Sequence, residues 1–398
     1  MLSTVLTAEL RAGVLARLKS GSKSYYLFVA MFGMLLLASL ASGLHARLIG
    51  YDHAYNTYRE VPWGILISTY VFFVVTSTGL CLVSSIGHVF GKKEFMPMAR
   101  RAVYLSILTI CGGFLVLAFE IENPTRMAIY NVLSPNMTSN IWWMGTLYGA
   151  YLFFMALEFF FILVHRYKEA TIFGLLGVIA GVVAHSNLGA VFGMLHGREY
   201  WYGPFMPIYF IASAMMSGCA AIILFTWLAY KINGKEIDEP MADTMHVTNK
   251  LVILMILVIM FFTAWKIISG MVGTEGKLAA MHSILDGPMS INFWVIEVGM
   301  GMVVPLFLFL ASKGRNMGMM VAAAAMMMFA IFFMRFDLVV VGQIVPVYYE
   351  LGVKQYSHLL TYTPSWHEIM VVMGGIGFVG VAFLLGEKIF DGHKVEHH

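Results

Sequence analysis

Four ionisable residues, Glu120, Glu158, His185 and Glu297, stand with apolar residues on both sides. A charge at mid-membrane costs at least about 2–3 kcal/mol and needs a partner or a changed protonation state. Histidine and a protonated carboxylic acid can each donate a hydrogen bond and then pass the proton on. That chemistry serves a proton relay, or acid–base exchange with a carbonyl in a dry pocket. Lys266, Arg335 and Asp337 also lie within apolar stretches. Arg335 and Asp337 can instead pair at a helix end, and Lys266 can extend its amine outward. Glu122, His367 and Glu368 sit where an interface is expected. His185 fills the vacant place in the four-residue series Gly177, Gly181, Gly189, Gly193 and Gly197, so all share one helix face. Such a stripe suits a close helix seam, and a flat ring laid beside an imidazole suits it too. Asn187 points away from His185 but adds a polar group at the same level. Trp142, Trp143 and Tyr148 can wall such a ring or form an interfacial aromatic belt.

The elements that must position these groups are membrane spans. Hydrophobic residues make up 60% of the 398 and charged residues 12%, against about 25% charged in a soluble domain. Apolar runs near the roughly 20 residues needed to cross hydrocarbon recur at 26–45, 63–89, 102–122, 141–165, 171–195, 206–231, 248–271, 289–312, 317–343 and 367–387. The fold class is all-α integral membrane with about ten transmembrane helices, and residues 1–398 form a single polytopic membrane domain. Lysine and arginine gather in alternate loops, at Lys92, Lys93, Arg100, Arg101, Arg166, Lys168, Lys231, Lys235, Lys313, Arg315, Lys388 and Lys394. By the positive-inside rule both termini are cytoplasmic. Glu120, His185, Lys266, Glu297, Arg335 and Asp337 then fall in the exoplasmic half, with Glu158 and His88 nearer the cytoplasm. The segment 344–366, with Tyr348, Tyr349, Tyr356, Tyr362 and Trp366, is the longest exoplasmic loop and reads as a docking or capping element or an aromatic belt.

A net charge of +3 scattered over helix ends gives no surface for nucleic acid. Cys81, Cys111 and Cys219 stand singly, without metal-ligand or c-type haem spacing; no metal site is expected. The first apolar run has no small-residue cleavage site after it, so a retained first span is expected. Two other readings remain open at this point. A b-type cytochrome needs facing histidines, for which His88 and His165 are at similar depth. A secondary transporter or ion channel would use the buried charges within an inverted repeat.

Several segments together resemble a known family: VPWGILI and TSTGL in the second span, FEIENPTR closing the third, MALEF in the fourth and AHSNLGAVFG in the fifth. FWVIEVGMG in the eighth, RFDLVVVGQ in the ninth and YTPSWHEIMVVMGGIG entering the tenth extend the likeness over nearly the whole chain. They resemble the NrfD/PsrC membrane subunits, in the ten-helix branch with HybB-like and DsrP-like proteins and the membrane subunit of the quinone reductase complex. The resemblance implies a core of two four-helix bundles, with a quinone-binding bundle at 63–195, a second at 206–343, and flanking helices at 26–45 and 367–387. It implies a bacterial inner-membrane subunit of a respiratory oxidoreductase that binds menaquinone or ubiquinone near the exoplasmic face. Such a subunit has no haem or other redox centre of its own and exchanges electrons with a periplasmic iron–sulfur protein. Molybdopterin-family, hydrogenase or multihaem cytochrome c subunits would complete the complex. Carried over by position, His185 and Glu120 border the quinone pocket, with Asn187, Trp142 and Tyr148 as further contacts. Glu158 continues a proton route, and Lys266, Glu297, Arg335 and Asp337 form polar places in the second bundle. The family varies between carboxylate and histidine at the positions of Glu158 and His185. The direction of electron flow does not follow from the residues.

Overall fold

The computed structural model describes residues 13–347, 349–351 and 358–390. In hydrocarbon no water satisfies a backbone N–H or C=O, so a spanning segment must bond within itself. Ten helices long and apolar enough to cross a membrane result among the described residues. They are α1 (Lys23–Ile49), α2 (Ile65–His88), α3 (Met96–Glu120), α4 (Asn140–Leu163) and α5 (Tyr167–Gly193). After these come α6 (Phe205–Ile232), α7 (Glu239–Met271), α8 (Asn292–Ser312), α9 (Met317–Ile344) and α10 (Trp366–Ile389). Side-chain caps fix several starts: Ser22, Ser139, Asp238, Asn316 and Ser365 each accept a backbone N–H three residues on. The Asp238 cap, with Pro240 in the first turn, explains why α7 begins at Glu239, earlier than the 248 expected from hydropathy.

Three features depart from the sequence reading. Pro124–Leu133 and Glu275–Leu285, which lie between the apolar runs, are short helices. The first part of α8, Asn292–Val303, is wound as a π-helix. Pro305 follows directly and has no N–H to give to the preceding turn, and the Val304 N–H reaches back five residues to Gly299. In the loop 344–366, Tyr348, Lys354 and Tyr356 lie outside the described residues, as do Arg11 and Lys394. Its described part folds over the start of α2: the Tyr362 hydroxyl accepts the Ile65 N–H and donates to Glu368. The Tyr58 hydroxyl donates to the Thr361 carbonyl.

Helices α2 to α5 pack as one four-helix bundle and α6 to α9 as another, while α1 and α10 pair and lie against α3. The bundles join chiefly where α2 meets α6. There Gly79 and Gly218 put backbone against backbone, and a methyl group on either would overlap the other helix's main chain. Small residues are what permit so close a crossing between spans. Gly218→Leu is therefore expected to destabilise the protein by at least about 1–3 kcal/mol through overpacking, read as a lower unfolding temperature in detergent. An unchanged melt would show that the two bundles do not meet at this crossing.

Candidate functional site

A cavity of about 780 Å³ lies at one end of the first bundle. Its walls come from α2 to α5 and the short helix Pro124–Leu133, and they are mostly apolar and aromatic. Trp63 and Tyr70 stand on one side, Phe114 and Leu117 on a second, Trp142 and Met144 on a third, and Leu188 and Phe192 close it. The short helix is held by Trp142, whose indole N–H donates to the Asn131 carbonyl at 2.7 Å, while the Asn131 amide donates to Thr146. Trp63 meets Phe192 edge-on and lies 5.6 Å from Trp201. Its backbone is gripped from the second bundle. Gln343 of α9 accepts the Trp63 N–H at 3.0 Å and donates to the Trp63 carbonyl at 2.7 Å.

One helical turn deeper than Met144 and Leu188 are Tyr148 and His185, both fully buried, with the Tyr148 hydroxyl 2.9 Å from His185 Nδ1. The other imidazole nitrogen, Nε2, makes no hydrogen bond of good geometry, and the Phe210 backbone of α6 is a polar group within reach of the ring. The buried face of α4 carries Tyr148, Tyr151, Met155 and Glu158 at spacings of three and four, a line of about 15 Å at 1.5 Å per residue. The Tyr151 hydroxyl meets Ser77 at 3.0 Å, and Ser77 donates to the Ser106 carbonyl. At the far end Glu158 stands 3.5 Å from His88 Nδ1 and fills the space that Gly174 leaves on α5.

In the second bundle Lys266 Nζ lies 3.7 Å from Glu297 Oε1 and 3.5 Å from the Tyr200 hydroxyl. Burial pushes the Tyr200 phenol up to about 12 against the pull of the Lys266 ammonium. Asn292 donates to Asp337 at 3.1 Å. The fully buried Arg335 guanidinium lies over the Phe210 and Tyr209 rings at 5.3 and 5.9 Å, and none of its nitrogens finds a hydrogen-bond acceptor. His185 meets the same ring, 5.8 Å from Phe210, and is within electrostatic reach of Arg335.

The geometry sorts the residues singled out from sequence. Trp142 lines the cavity, and Tyr148 and His185 form a pair just beneath it. Glu120 does not reach it. The α3 wall is Phe114, Leu117, Ala118 and Ile121, and Glu120 lies instead toward the end of α1 and the start of α10, within electrostatic reach of Tyr51 and Glu368. Beside it the Tyr55 phenol is raised by burial, then by Tyr51 and the Glu120 and Glu368 carboxylates. Asn187 also faces elsewhere, its amide donating to the Asn140 carbonyl at 2.8 Å. The glycine stripe leaves no room for a ring. The space beside Gly177 and Gly181 is filled by Met155 and Tyr151, that beside Gly189 and Gly193 by Pro207 and Gly203, and Gly197 lies past the helix end. Arg335 and Asp337 do not pair, and Lys266 turns inward to Glu297. His88 faces Glu158, while the exposed His165 bonds Tyr167. Trp63 and Gln343 were missed, although both fall in motifs quoted above and a glutamine in the apolar run of α9 is itself a sign.

The family described as Polysulphide reductase, NrfD matches residues 53–347. The chain is 25% identical over 393 residues to the Hdr-like menaquinol oxidoreductase integral membrane subunit of Archaeoglobus fulgidus, covering 94% of this chain and 95% of that protein. It is 22% identical to a selenate reductase subunit of Mesobacillus selenatarsenatis, over 90% of each. It is also 22% identical to an NrfD homolog of Haemophilus influenzae, over 72% of this chain and 95% of that one.

Removing one hydroxyl tests the buried pair. Tyr148→Phe removes the hydroxyl that meets His185 Nδ1 in a fully buried place and is expected to cost about 1–3 kcal/mol, measured as a lower unfolding temperature. A variant as stable as the parent would mean that this bond is not formed in the protein.

Proposed function

This chain belongs to the polysulphide reductase NrfD family, and we propose that it is the quinone-interacting membrane subunit of a respiratory oxidoreductase complex. The carrying observation is the aromatic cavity of about 780 Å³ with the Tyr148–His185 pair one turn beneath it. An apolar pocket with a few convergent polar groups is the form small-molecule sites take. Its walls fit a flat ring and an isoprenoid tail, and the Tyr148–His185 pair beneath them would meet a carbonyl or hydroxyl oxygen. The relative named a menaquinol oxidoreductase subunit makes menaquinone the first choice, with ubiquinone the alternative.

Quinone chemistry supplies two electrons and two protons per turnover. The residues here have the proton side of that exchange. Tyr148 fixes the His185 ring through Nδ1 and leaves Nε2 to hold or release a proton. Below, Tyr151 with Ser77, and then Glu158 with His88, continue toward the other end of the bundle. The excess of lysine and arginine in the loops at that end supports a cytoplasmic position for it, with the cavity on the exoplasmic side; the membrane on this reading is a bacterial inner membrane. A periplasmic iron–sulfur protein would there take or give the electrons, as part of a complex with further catalytic subunits. The bundle 63–195 is thus the quinone unit and 206–343 its companion. In the companion, Lys266, Glu297, Asp337 and Arg335 would carry proton translocation, with Arg335 and His185 both against Phe210.

Two variants of the assembled complex test the site. Ala118→Trp, which fills the cavity, is expected to abolish quinol-dependent turnover while the complex still assembles. His185→Ala is expected to slow turnover by about 10²–10⁴-fold, the usual worth of a positioned acid–base group. Unchanged turnover and quinone affinity in both would overturn the assignment. For the companion bundle, Glu297→Gln is expected to lower the protons moved per electron in sealed vesicles while quinone binding persists; an unaltered ratio would remove Glu297 from the route.

A further inference from the structure

A second cavity, of about 450 Å³, runs between the α1/α10 pair and the two bundles. Phe72, Phe225, Leu228, Phe332, Val372 and Leu384 are among its walls. Along α10 it extends from Ile369 to Leu384, about 22 Å at 1.5 Å per residue. Two hydroxyls face it, and both are turned into their own helices: Thr76 donates to the Phe72 carbonyl and Thr109 to the Leu105 carbonyl. A polar ring or head group would find nothing to bond along its length. The groove is long, narrow and apolar, and its rim residues Phe329, Ile369 and Ile376 are exposed where the bilayer stands.

One end of the groove is charged. Leu228 and Leu384 close it, and on the same helix faces one turn further are Lys231 and Lys388. Lys231 is exposed; Lys388 is half-buried, its ammonium 5.4 Å from the Tyr25 ring. The neighbouring Glu387 is already neutralised by Arg101, at 2.8 and 3.2 Å. The lysines are left to face a ligand's negative charge. We propose that the groove holds an acyl chain of a single anionic phospholipid, with its phosphate resting against Lys231 and Lys388. The chain would fill the gap between α10 and the face made by α6 and α9, and so attach the α1/α10 pair to the bundles. This site is distinct from the ring cavity, from which α2 separates it.

The test is lipid retention by the purified protein. After detergent washing that removes bulk lipid, mass spectrometry of the extract is expected to find phosphatidylglycerol-class lipid in proportion to the protein. Lys231→Glu with Lys388→Glu is expected to weaken that retention by at least about thirtyfold, since each lysine contributes on the order of 1 kcal/mol to an anionic surface. Ile376→Trp, which fills the groove, is expected to release the lipid with the lysines intact. Wild-type protein is the control against misfolded variants: once delipidated, its melting temperature should rise in nanodiscs containing phosphatidylglycerol and not in phosphatidylcholine alone. An extract holding only quinone or detergent, or phosphatidylethanolamine retained as well as phosphatidylglycerol in both wild type and lysine variant, would overturn the proposal. So would equal melting in the two kinds of nanodisc.

Discussion

Gly79 and Gly218 let the main chains of α2 and α6 touch, and much of the molecule follows from that contact. With no side chain between them, α2 becomes the central post of both bundles rather than a wall of one. One side of it faces the ring cavity through Ile67, Tyr70 and Val71, and another faces the acyl groove through Phe72, Phe73 and Thr76. A wider crossing would move the walls of both cavities and separate His185 from Arg335. Two glycines in lipid thus do the work that a large hydrophobic core does in water, because apolar burial drives little association where the solvent is itself apolar.

The same crossing governs the electrostatics. A guanidinium in hydrocarbon costs several kcal/mol unless groups around it compensate, and here compensation is divided between bundles. Tyr209 and Phe210 present ring faces to Arg335, Glu297 lies within electrostatic reach, and His185 packs against the same Phe210. A change of protonation at His185 therefore alters the field at Arg335, and the reverse holds equally. The electrostatic coupling between the bundles thus runs past one aromatic ring and one cation that no acceptor binds.

The spans were legible because hydrocarbon allows few solutions: ten apolar runs became ten helices, and Asp238, Ser139 and Ser365 mark their starts in ordinary capping chemistry. The depth of His185 followed from counting residues along α5. Which way a side chain turns did not follow. Glu120 and Ile121 are adjacent in sequence, yet Ile121 lines the cavity and Glu120 faces the α10 side. The glycine stripe was read correctly as a seam, but sequence could not say that Tyr151, Met155 and Pro207 already fill it. Nor could hydropathy show the π-turns around Glu297, since the composition of α8 is that of any span and only the backbone register differs.

Trp63 belongs by sequence to the first bundle, yet the two hydrogen bonds that hold its backbone come from Gln343, at the end of the second. The ring cavity is accordingly a joint product of both halves of the chain. A fragment ending before α9 would retain every helix that lines the cavity and lose the bracket that keeps its roof in place. The two bundles look like modules that could be exchanged between relatives, but a first bundle grafted onto a foreign partner would bring Trp63 with it and leave behind the glutamine that brackets it.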